Sequence, residues 1–272
     1  MTALKNWSNL QQRIFTAIVG TGVFAGLLFY GPEGCLILFS LLVFVCNLEF
    51  LQISAQPFSL VTRILYALLA STTFFILIVG DSTLIPVYPL LLLIPVGIIA
   101  GAIFSSSEKP LEKAAWVLFG FLYLILPWFA FYSMLKNTDY EPLLFLGLFG
   151  LLWMADSGAY FAGKSLGKTK LLPSVSPKKT WEGLAGGLLA SLLLGWILSN
   201  FLQQFSLSQW LILAASTTLA GTVGDLAESR LKRSLELKDS GSLLPGHGGF
   251  LDRFDGFFLA APVNYFIATL FF

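Results

Sequence analysis

Charge is scarce in this sequence. Only 11% of its 272 residues are Asp, Glu, Lys or Arg, and 56% are apolar, whereas an ordinary soluble domain carries about 25% charged residues. That balance excludes a water-soluble globular enzyme and points to an integral membrane protein. Histidine is scarcer still. His247 is the only one, with no second histidine or nearby cysteine to build a zinc site around it. The two cysteines, Cys35 and Cys46, share one apolar segment and read as small core residues rather than a disulfide framework. There is no Walker-type phosphate loop and no glycine-rich dinucleotide turn after a strand. Internal repeats and low-complexity tracts are missing too. The net charge of +1 gives no support for nucleic-acid binding, because a membrane accounts for the basic loops.

Long apolar runs are what the chain does have. A helix crosses the hydrocarbon core with roughly 17–25 apolar residues, and nine segments qualify, at about 14–30, 35–52, 61–79, 84–104, 113–134, 142–162, 181–203, 209–227 and 255–272. Only helices or closed barrels satisfy the backbone in lipid, and these runs are continuously apolar rather than alternating, so they predict helices. Pro86, Pro89 and Pro95 predict a kink in the fourth. The first run is read as a retained helix, since no small-residue cleavage site follows it. Nine spans place 15 of the 16 Lys and Arg residues on one side, with only Lys136 opposite. The positive-inside rule makes that side cytoplasmic. The expected fold is therefore an all-α, polytopic integral membrane protein of about nine transmembrane helices with a cytoplasmic N-terminus. Residues 1–140 form its N-terminal helices. Residues 141–272 carry the chemistry, with cytoplasmic loops at 163–180 and 229–255. Gly183, Gly186 and Gly187 give the seventh span a small-residue face suited to close helix packing.

The densest charge lies in Ser229–Asp255, between two apolar segments. Asp225 and Glu228 precede it, and Asp252 and Asp255 close it, three apart and so expected on one helix face. Carboxylates at a membrane edge are costly to bury and are functional candidates. Carboxylates from two helices suit a hard divalent cation, because Mg²⁺ takes one or two carboxylates and completes its shell with phosphates. Ion pairs of Asp252 or Asp255 with Arg253 or Lys232 satisfy the spacing equally well. Lys232, Arg233 and Lys238 follow Asp225, and Lys178 and Lys179 precede the seventh span. Glycines and paired basic residues beside carboxylates are the equipment of a polyphosphate site. Lys164 and Lys170 read as ordinary positive-inside residues that attract anionic lipid. His247, set in Pro245-Gly246-His247-Gly248-Gly249, suits a turn or a phosphate contact. Asp156, in Trp153-Met154-Ala155-Asp156-Ser157-Gly158-Ala159-Tyr160, suits a helix–helix hydrogen bond as well as it suits chemistry.

The order Ser229, Lys232-Arg233, Lys238-Asp239, Gly241, Pro245, His247-Gly248-Gly249, Asp252-Arg253 and Asp255 resembles the signature of phosphatidate cytidylyltransferases, also called CDP-diacylglycerol synthases. A second area of likeness runs from Asp156-Ser157-Gly158-Ala159-Tyr160 through Ser176-Pro177-Lys178-Lys179-Thr180-Trp181-Glu182-Gly183. The resemblance is detailed over roughly 150–255 and does not extend in detail to the first 140 residues. It implies a homodimer in a bacterial-type plasma membrane, with the active site at the cytoplasmic face, converting CTP and phosphatidate to CDP-diacylglycerol and pyrophosphate. It implies Mg²⁺, with a second cation (K⁺) beside it. On this carry-over Asp225, Asp252 and Asp255 hold the metal, and Ser229, Lys232, Arg233, Lys238, Lys178 and Lys179 contact phosphates. His247 and Asp239 hold the loop or protonate the leaving pyrophosphate. A CTP-dependent polyprenol kinase would use the same equipment. An ion-coupled transporter would spread its acids through midspan positions and show inverted repeats, neither of which this sequence does.

Overall fold

The computed structural model describes residues 9–80, 93–138, 140–241 and 248–272. Nine α-helices occur among them: α1 (Asn9–Tyr30), α2 (Pro32–Ile53), α3 (Leu60–Val79), α4 (Leu93–Ile103), α5 (Pro110–Asn137), α6 (Pro142–Leu166), α7 (Trp181–Leu198), α8 (Leu207–Ser234) and α9 (Phe257–Phe271). Six of them, α2, α3 and α5–α8, are long and apolar enough to cross a membrane. This is the expected all-α polytopic membrane protein. The fourth predicted segment survives as the short α4, and its first half, with Pro86 and Pro89, lies outside the described residues. One feature departs from the expectation of an all-helical chain. Between α6 and α7 a small antiparallel hairpin forms from β1 (Lys170–Leu172) and β2 (Ser176–Thr180).

The chain divides into two compact units, one of residues 1–129 with 239–253 and the other of residues 130–238 with 254–272. In the first unit, aromatic side chains fill the space between helices. Phe39 packs on Trp128 at 4.9 Å between ring centroids, and Phe50 sits 5.4 Å from Trp116. Each such pair adds about 0.5–1.5 kcal/mol beyond area burial. Lipid tails are as apolar as the side chains, so this shape-specific packing, rather than escape from water, holds helices together.

In the second unit, Phe131 meets Phe145, Phe149 and Phe257 at 4.7, 5.3 and 5.3 Å. The predicted small-residue face is used as expected. A Cβ on Gly186 would stand 2.2 Å from the Cβ of Ala162, and one on Gly187 would stand 2.5 Å from the Ala155 carbonyl. α6 and α7 therefore touch backbone to backbone. Thr180 starts α7 by accepting the Gly183 amide at 3.0 Å on its side chain. The start of α8 is fixed by a capping box, Ser206 with Gln209. Lys232 and Arg233 lie in its last turn, where cations complement the helix dipole.

Candidate active site

The second unit encloses a cavity of about 470 Å³ where α6, the hairpin, the start of α7 and α8 meet. That volume lies within the range of small-molecule sites, about 300–1,000 Å³. Asp156 and Lys164 come from α6, Lys178 and Lys179 from β2, and Asp225 from α8. Three lysines and two aspartates thus line one cavity.

Local folding explains how the lysines arrive there. The hairpin turns the chain back after α6, and Trp181 N–H closes it by donating to the Thr169 carbonyl at 3.0 Å. Glu182, in the first turn of α7, accepts the amides of Lys168 and Thr169 at 3.1 Å each. Lys179 Nζ pairs with Asp225 Oδ2. Ser229, one helical turn after Asp225, donates its hydroxyl to Asp225 Oδ1 at 3.2 Å. Lys232 pairs with the buried Glu228 at 3.2 Å.

Asp255 lies in the turn ahead of α9, where its Oδ1 accepts the Gly256 amide at 2.6 Å. This turn rests directly on α8, since a Cβ on Gly224 would come within 2.7 Å of the Asp255 carbonyl. The Asp255 carboxyl is pushed up to about 7. Burial is the main cause, followed by the negative charge of Asp225 and of Asp156, while the Gly256 amide and Lys232 pull the other way. The likeness of these two acids to a shared face of the last helix is corrected. Asp252 sits in a 3₁₀ turn, Leu251–Arg253, and α9 begins only at Phe257, so both acids precede the helix.

Asp252 belongs to the first unit. Its Oδ2 accepts the Ser240 amide at 2.9 Å, the Ser240 hydroxyl at 3.0 Å and the Gly249 amide at 3.2 Å. Arg233 donates to the Leu237 carbonyl at 3.0 Å and so holds the turn after α8. Lys238 is exposed. His247 lies outside the described residues.

Among the described residues no three Asp, Glu, His or Cys side chains stand close enough to cage a metal by themselves. The acids present still fit Mg²⁺, which needs only one or two carboxylates when phosphates supply the rest of its shell. Asp225 and Asp255 supply two, and their mutual repulsion is what a divalent cation would relieve.

The sequence matches the cytidylyltransferase family over residues 11–271. The chain belongs to the cytidylyltransferase family. Among its relatives, the phosphatidate cytidylyltransferase of Bacillus subtilis (strain 168) is 34% identical across 97% of this chain and 99% of its own length. That of Staphylococcus aureus (strain COL) is 33% identical across 93% of this chain and 97% of its own. That of Haemophilus influenzae is 43% identical across 47% of this chain and 48% of its own.

Lys178, Lys179, Asp225, Ser229 and Asp255 are drawn together by the fold of the second unit, as is Lys232, whose charge acts on Asp255. Three residues were missed or undervalued from sequence. Lys164 reads as an ordinary membrane-surface lysine, yet it lines the cavity with its Nζ 5.9 Å from the centre of the Tyr160 ring. Asp156 stands on the same wall. Glu49, in α2, is fully buried and accepts the Ser240 hydroxyl. A lone carboxylate in an apolar span was the signal for it.

Proposed function

We propose that this membrane enzyme is a nucleotidyltransferase that converts CTP and phosphatidate to CDP-diacylglycerol and pyrophosphate. The observation that carries the reading is the cavity wall of Lys164, Lys178 and Lys179 against Asp156 and Asp225, in a chain aligned nearly end to end with relatives named for this activity. An oxygen of the phosphatidate phosphate forms a bond to the α-phosphorus of CTP. The bond from that phosphorus to the bridging oxygen breaks, and pyrophosphate leaves with the electron pair. A phosphate monoester is largely dianionic at pH 7, since its second pKa is about 6, so the attack needs no strong base.

The obstacle is bringing two anions together and holding charge that spreads over the phosphoryl oxygens, which calls for positioning and electrostatic stabilisation. The lysines of the cavity wall do this. Lys179, which pairs with Asp225, exchanges that partner for a phosphate, and Lys178 and Lys164 add charge beside it. Asp225 and Asp255 would hold Mg²⁺, and Asp252 keeps the metal-carboxylate role that the resemblance implies. Bound there, Mg²⁺ would act as a Lewis acid on phosphoryl oxygens. Ser229 orients Asp225 through its hydroxyl. The excess of Lys and Arg on one side supports a site at the cytoplasmic face, near the headgroups, where the lipid substrate keeps its tails in the bilayer. We further propose a homodimer, to be checked by the mass of the protein–detergent complex.

The test is product analysis with purified protein in detergent. Pyrophosphate released from CTP only when phosphatidate and Mg²⁺ are both present supports the reading. Release of CDP with a phosphorylated polyprenol would replace it with the kinase reading.

A further inference from the structure

The first unit holds an acid that the chemistry above does not use. Glu49 lies near the end of α2, a helix whose only other charged residue is Glu33 in its first turn, and its side chain is completely buried. A carboxylate in such a place needs compensating donors. Those the structure shows come from the signature stretch, residues 239–253. The Ser240 hydroxyl meets Glu49 Oε1, and the Phe250 amide donates to Oε2 at 2.7 Å. The backbone is pressed against the carboxyl on both sides. A Cβ on Gly241 would fall 2.8 Å from Oε1, and one on Gly249 would fall 2.2 Å from it. Any side chain at Gly249 would collide with Glu49 and with the Ser240 hydroxyl, 1.8 Å away.

One of these loop groups also meets Asp252: the Ser240 hydroxyl, whose single proton is shared between the two carboxylates. Ser240 reaches Asp252 Oδ2 through its amide and its hydroxyl, and Gly249 reaches it through its amide. Ser240 is therefore shared between the two acids. Glu49 grips the hydroxyl of Ser240 and the amide next to Gly249, and those two residues supply three contacts to one oxygen of Asp252.

We infer that Glu49 is a positioning residue for the reaction. It holds Ser240 and Phe250, and through Ser240 and Gly249 it fixes the orientation of the Asp252 carboxylate. Supporting partners of this kind are worth about 10- to 100-fold in metal affinity or activity. The inference rests on the reading of Asp252 as a carboxylate at the metal.

The experiment measures kcat per folded enzyme, and the Mg²⁺ concentration for half-maximal rate, in wild type, Glu49→Ala, Glu49→Gln, Ser240→Ala and Asp252→Asn. Fold is monitored by the elution profile in detergent. Glu49→Ala should lower kcat about 10- to 100-fold and raise the Mg²⁺ requirement. Glu49→Gln, which keeps one acceptor of two, should fall between it and wild type. If Glu49→Ala does not fold, Ser240→Ala breaks the same link from the loop side and should shift kcat and Mg²⁺ dependence in the same direction. A structural role alone would reduce the yield of folded protein and leave both readouts unchanged. Loss in Asp252→Asn, with folded Glu49→Ala and Ser240→Ala unchanged, overturns the inference and leaves the metal reading standing. Full activity in Asp252→Asn removes the metal reading and the inference together.

Discussion

Lowering the pH from 8 to 6 should weaken divalent-cation binding by about tenfold. The reason is Asp255, whose carboxyl is pushed up to about 7 by burial and by Asp225 and Asp156. The direction follows from competition. Below 7 this acid carries a proton that a cation must displace, and above 7 the anion is already available. A ligand that takes only the anion has its affinity divided by one plus the ratio of protonated to ionised forms. For a group titrating near 7 that ratio is about 10 at pH 6 and about 0.1 at pH 8, one decade per pH unit on each side. Substrates would confuse the measurement, because their own phosphates titrate in this range. The assay therefore uses substrate-free protein and Mn²⁺ in place of Mg²⁺, with the free ion followed by electron paramagnetic resonance. Wild type should show the tenfold change, and Asp255→Asn should bind weakly with little slope. Equal affinity at pH 6 and 8 in wild type would refute the reasoning, as would an undiminished slope in Asp255→Asn.

Three further outcomes are expected. Lys179→Ala should reduce kcat/KM for CTP about 10- to 100-fold, the size of one charge-assisted hydrogen bond. Its thermal midpoint should barely move, because the pair with Asp225 is partly exposed and such pairs contribute about 0–1 kcal/mol. Gly186→Leu should abolish recovery of folded protein in a detergent elution profile, since even its Cβ would lie 2.2 Å from Ala162. Asn264 bonds Ser216 at 2.6 Å and Thr217 at 2.7 Å between α8 and α9. Asn264→Leu should lower the thermal midpoint by the equivalent of about 1 kcal/mol, typical of a polar contact between membrane helices, with kcat unchanged.

Much of this is legible in the sequence alone. Apolar runs of membrane length announce themselves by composition, and so do small residues at helical spacing such as Gly183 and Gly187. The stretch from Ser229 to Asp255 stood out because it gathers charge in a chain with little of it. What sequence could not supply was partnership across distance. Glu49 is visible as a carboxylate in an apolar span, but its partner Ser240 is 191 residues away, and no periodicity connects them. Lys164 was undervalued because a lysine that neutralises lipid and a lysine that binds phosphate carry the same signal until the wall beside them is known. The hairpin escaped notice because strands of three and five residues, one containing Pro177, are too short to show alternation. Asp252 and Asp255 mislead because spacing of three is a helical sign only where the chain is helical, and α9 begins only at Phe257, past both of them.

The grouping of residues 239–253 with the early helices bears on how such a chain can be rebuilt. The N-terminal spans are not an inert anchor that a designer can exchange for any hydrophobic scaffold. A chimera that joins the later helices of this chain to the first spans of a relative inherits a foreign residue opposite Ser240 and Phe250. It will work only where that residue offers the same two acceptor oxygens as Glu49. The workable seam transfers α2 and the loop as a pair.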